Sequence, residues 1–174
     1  MSITKSFAIA LLVTALASTS ATAQEAGSRQ TREYVQAAGE SDTFEIMEAQ
    51  TALAQSSDPK VTAFGRDMIH DHGETSRKLS EAAEGAGLKP PPIAVGAGQS
   101  PFLAALQSAR GREFDKTYWR QQALAHHSAL TTAQQYADHG DSPAIREAAN
   151  ASIPMIRRHL AMAEHMVQSV ESGS

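Results

Sequence analysis

The chain has 174 residues, a formal charge of −4, 41% hydrophobic and 5% aromatic residues, and no cysteine. That is enough apolar material for one ordinary domain with a real core. The missing cysteine excludes a disulfide scaffold and anchorage through a lipidated Cys. An acidic balance without a basic stripe argues against nucleic acid as a partner.

The first 23 residues read as a leader rather than part of the fold. Lys5 supplies a basic start and Phe7 to Ala17 an apolar run too short to span a bilayer. The small residues Ala21 and Ala23 then place cleavage before Gln24. The expected product, residues 24–174, is an exported protein of the periplasm or cell envelope. It keeps no integral membrane segment, and its charge falls to −5 with the loss of Lys5. Nothing in it marks a particular protein partner.

Four long segments then show a helical period: residues 31–55, 59–84, 112–137 and 143–170. Asp58-Pro59 and Ser142-Pro143 each offer an N-cap followed by proline at the first helical position. The Gly- and Pro-rich stretch 85–111 reads as a connection, with a short helix starting at Ser100-Pro101. No segment has strand periodicity. SDPKVTAF at 57–64 echoes DSPAIREA at 141–148, so the halves read as two helical hairpins. Joined by a long crossover they predict an all-α, ferritin-like four-helix bundle. An elongated pair of separate hairpins is the competing layout, and it would leave each apolar stripe exposed.

Certain polar residues fall on the apolar stripes. Along the first helix Tyr34, Ala38, Ala49 and Ala52 define the stripe, with Glu45 at its centre and Glu48 at its edge. His72 lies between Met68 and Leu79 on the second helix. His126 lies inside the stripe of Phe114, Tyr118 and Ala133, and His159 inside that of Ile156, Leu160 and Ala163. His70, His127 and His165 point away. Glu45, His72 and His126 each lie roughly 13 residues from their hairpin turn, and His159 about one turn further, an offset of about 5 Å.

Imidazole and carboxylate donors suit a transition metal such as Fe, Zn, Mn or Cu, and the lack of thiolate removes the softest sites. The reading is therefore a metal site of Glu45, His72, His126 and His159, with Glu48 as a further ligand or supporting partner. Asp71 would orient a ligand imidazole. The alternative is a non-catalytic envelope or stress-related protein with a metal-free polar core, in which Glu45 pairs with His72 and His126 with His159. Met155, Met162 and Met166 at helical spacing read as core before they read as thioether ligands. The D-x-x-H spacing of Asp67 and His70 lies on an exposed face. Hydrolase, nucleotide and Cys-nucleophile motifs are missing.

FEIMEAQTALAQSSDPKVTAFGRDMIHDH at 44–72, GREFDKTYWRQQALAHHSAL at 111–130 and SIPMIRRHLAMAEHM at 152–166 resemble the bacterial exported family called "domain of unknown function 4142". The resemblance implies a ferritin-like bundle and no particular activity. It places the family's recurring polar positions on Glu45, Asp71-His72, His126 and His159. The chain departs from the di-iron pattern, which needs two inward E-x-x-H motifs and two further Glu. This argues against ferroxidase chemistry and favours a His-rich mononuclear site.

Overall fold

The computed structural model describes residues 27–172. The leader assigned to residues 1–23 lies outside them. Five helices follow in order: α1 (Arg29–Gln55), α2 (Pro59–Gly85), α3 (Ser100–Ser108), α4 (Gly111–His139) and α5 (Pro143–Ser172). Local chemistry decides where the helices begin and end. The Ser28 hydroxyl accepts from the Thr31 amide at 3.0 Å, and the Asp58 carboxylate from that of Lys60 at 2.7 Å. Gly87, at φ 74°, closes α2: its amide donates to the Glu84 carbonyl and that of Leu88 to the Ala83 carbonyl, a Schellman turn.

The long helices form one four-helix bundle, with α1 against α2 and α4, and α5 against α2 and α4. Tyr34 near the start of α1 stacks on Tyr136 near the end of α4, ring centroids 4.2 Å apart. Phe64 near the start of α2 packs on Trp119 near the start of α4, at 5.0 Å. Neighbouring helices are therefore antiparallel, and the connection from α2 to α4 must run the length of the bundle. It lies tightly on α1: a Cβ placed on Gly39 would come within 2.3 Å of Pro91. Any larger residue at position 39 would push the crossover away.

The core is not one apolar column. One cluster holds Val61, Phe64, Met68, Phe114, Tyr118 and Trp119; the other holds Tyr34, Leu79, Ala83, Tyr136 and Ile145. Each large side chain so buried contributes about 1.5–3 kcal/mol. Between the clusters lies a polar layer of Asp42, Glu45, Glu48, His72, Gln122, His126 and His159, all buried. Removing that many polar groups from water is costly unless each finds a partner, so the layer is where function is sought. Met166 joins the apolar core, whereas Met162 is 49% exposed, so the methionines do not gather around His159.

Candidate metal centre

Three histidines from three helices meet in this layer. The ring centroids of His72 on α2, His126 on α4 and His159 on α5 are 5.4–5.6 Å apart in every pairing. The offset expected for His159 from residue counting is not seen; the rings form a nearly equilateral triangle.

Each ring has one nitrogen engaged. His72 Nδ1 lies 2.8 Å from the Asp42 carboxylate, His126 Nδ1 2.8 Å from the Gln122 carbonyl, and His159 Nε2 3.0 Å from the Asp71 carboxylate. All three partners are acceptors, so these nitrogens carry the hydrogen. The opposite nitrogens, His72 Nε2, His126 Nε2 and His159 Nδ1, are buried lone pairs with no hydrogen-bond partner. One ligand nitrogen from each ring lies within 4.8 Å of the others. Three atoms so spaced sit at most about 2.8 Å from a common centre, a contraction of about 0.7 Å short of metal–imidazole bonding.

The electrostatics keep His126 and His159 neutral, the form that binds metal. Burial pushes the His126 pKa down to about 3, with His72 adding to the effect. Burial and His72 lower His159 to about 4 against the opposing pull of Asp71. Burial alone would raise Asp71, but hydrogen bonds from Arg158, at 2.7 Å, and from His159 hold its carboxyl below the usual value. Asp71 thus stays an anion that orients a ring, an arrangement common behind metal-ligating histidines.

The two glutamates occupy the same layer but are not in the group of ligand atoms that all lie within 4.8 Å of one another. Glu45 Oε1 is 3.6 Å from His126 Nδ1, the nitrogen already donated to a carbonyl, and both Glu45 oxygens lack a hydrogen-bond partner. Glu48, one turn along α1, accepts from the Gln122 amide at 2.8 Å. Burial, then the neighbouring Glu48, pushes Glu45 well above the usual carboxyl range. Burial raises Glu48 to about 8 despite the Gln122 hydrogen bond. The hydroxyl of Tyr118 is also buried and unpartnered. The metal-free pairs considered from sequence, Glu45 with His72 and His126 with His159, are not hydrogen-bonded.

Sequence reasoning passed over Asp42 and Gln122. Both carried a readable signal, since Asp42 precedes Glu45 by three residues and Gln122 precedes His126 by four, each on its neighbour's helix face. His70, His127 and His165 face solvent, and Asp67 with them.

Comparison with known proteins supports the same fold. A profile of the family described as "Domain of unknown function (DUF4142)" matches residues 16–166. The crystal structure of a DUF305 fragment from Deinococcus radiodurans is 15% identical, with a TM-score of 0.71, over 83% of this chain and 99% of that one. CopM in its Cu(II)-bound form is 17% identical, with a TM-score of 0.66, over 80% of this chain and 96% of that one. At these identities the likeness is one of fold. No curated protein matches the chain.

Proposed function

The chain belongs to the family described as "Domain of unknown function (DUF4142)", and from that premise we propose that it is an exported protein that binds one transition-metal ion through His72, His126 and His159. The observation that carries the proposal is three buried imidazoles that bring one ligand nitrogen each within 4.8 Å of the others, each ring having one nitrogen held by an acceptor and the other a buried lone pair without a partner. Left bare, each lone pair costs about 1–3 kcal/mol, and one cation answers all three. Export rests on the leader pattern of residues 1–23.

Three imidazoles suit Cu, Zn, Fe or Ni, and affinity along the divalent series peaks at copper. Copper is the first metal to try, because the similarly folded CopM was solved with Cu(II) bound. A bound cation would supply Lewis acidity or, for copper and iron, a redox centre. Asp42, Asp71 and the Gln122 carbonyl would hold the imidazoles in the ligating tautomer. Glu45, 3.6 Å from His126 with both oxygens unpartnered, is a candidate for a carboxylate ligand, and Glu48 shares its layer. The apolar clusters on either side fix the helices that carry the histidines.

The test is a titration of untagged, chelator-treated protein with Cu(II) and Zn(II) by calorimetry. Binding at about one ion per chain, weakened in His72→Ala and His126→Ala, supports the site. Heat changes identical in wild type and both variants would place any binding elsewhere and leave the metal-free polar core as the reading.

A further inference from the structure

Two residues of the polar layer, Asp42 and His72, also line a large cavity. A space of about 900 Å³ opens between α1, α2, α4 and α5 under the start of α3, and its lining includes His72 and Asp42. That is the size of pockets that enclose small organic molecules. It exists because the facing positions carry alanine: Ala38 on α1, Ala125 and Ala129 on α4, Ala148 and Ala151 on α5. Such short side chains cannot close the gap that the helices leave. Phe44, Leu79 and Ile156 complete apolar walls. At the rim Leu124 and Phe102 are 56% and 42% exposed, an unusual position for large apolar groups.

Two features define what fits. Gln121, about nine-tenths buried, lines the cavity; its amide donates to the Phe102 carbonyl at 3.0 Å, while its own side-chain oxygen has no partner. A buried acceptor of this kind calls for a donor on the occupant. Lining carboxyls from Glu40, Asp42, Glu81 and Glu147 face a single lining ammonium, Lys78, so the field disfavours an anion.

We infer that this cavity is a binding site for a neutral or cationic, largely apolar organic molecule bearing an N–H or O–H donor that Gln121 accepts. Its walls would cover the apolar body, and the donor would satisfy the Gln121 oxygen. The inference stands on the cavity alone and holds whether or not the histidines bind a metal.

The probe is N-phenyl-1-naphthylamine, a neutral apolar amine whose emission rises on leaving water, titrated into the full mature chain with and without chelator. Saturable binding to one site is expected. Ala129→Trp and Ala148→Phe, on different helices, should each abolish it while circular dichroism stays helical. The N-methyl derivative of the probe, which has no N–H, should bind about three- to tenfold more weakly, the loss expected for one hydrogen bond. Laurate, apolar but anionic, should compete poorly. Absence of saturable binding, or equal binding by the two filled variants, would overturn the site. Equal affinity for the N-methyl derivative would overturn the role of Gln121, and strong competition by laurate the charge preference.

Discussion

Glu48→Gln offers a sharp test of the buried layer's energetics. Burial holds the folded carboxyl at about 8, against 4.5 for the unfolded group. A raised folded pKa stabilises fully below the unfolded value and loses that contribution as pH rises through the folded one. Between 4.5 and 8 the folded chain keeps a proton that the unfolded chain releases. Folding is then disfavoured by about 1.4 kcal/mol for each pH unit above 4.5, reaching about 3 kcal/mol at pH 7. Glutamine does not ionise and still accepts from the Gln122 amide. Its added N–H groups need partners, at a cost of about 1 kcal/mol. Urea unfolding followed by far-UV circular dichroism, with chelator present, should find the variant near or slightly below wild type at pH 4.5. At pH 7 it should be about 1–3 kcal/mol more stable. A difference independent of pH, or a variant weaker at pH 7, would refute the buried, proton-retaining Glu48.

In contrast, His126 and His159 have folded pKa values depressed to about 3 and about 4. Their contribution is present above the unfolded value of 6.5 and is lost as pH falls toward those values, by at most about 1.4 kcal/mol per unit each. Acid titration of metal-free Glu48→Gln removes one of the two raised carboxyls that oppose this trend and leaves Glu45, which the two histidines together outweigh, so stability should fall below pH 6.5; a flat profile from 6.5 to 4.5 would contradict it. His72→Ala and His159→Ala should each reduce bound metal, and their stability losses should be non-additive and shrink under chelator, because both would serve one ion. Additive, chelator-insensitive losses of about 1–3 kcal/mol each would instead mark separate structural hydrogen bonds. His70→Ala, on the exposed face, should cost under about 0.5 kcal/mol. Asp42→Ala removes the acceptor behind His72 and should weaken metal binding about 10- to 100-fold by calorimetry while leaving some binding.

The bundle was legible because its signals are local. Asp58-Pro59, the Gly- and Pro-rich connection and the 3.6-residue stripes act through nearest neighbours, and the helices start and stop where these say. The inward histidines were legible for the same reason, since His72, His126 and His159 interrupt apolar faces. What residue counting did not give was their common height, which depends on how the hairpins slide past one another, a tertiary property. The choice of partner also lay beyond it. Glu45 and Asp42 share a face of α1, and only packing against α2 decides that Asp42, rather than Glu45, meets His72. The cavity was hidden because alanine on a helix face reads as close packing, whereas here it lines a space.

The central claim is that three buried imidazoles hold one ion. Its most direct measurement is elemental analysis of untagged mature protein after loading with Cu(II) or Zn(II) and gel filtration, beside the His72→Ala/His126→Ala/His159→Ala and His70→Ala variants. The account predicts about one ion per chain in wild type and His70→Ala, and almost none in the triple variant. A metal-free wild type, or a triple variant that retains the wild-type content, would contradict it.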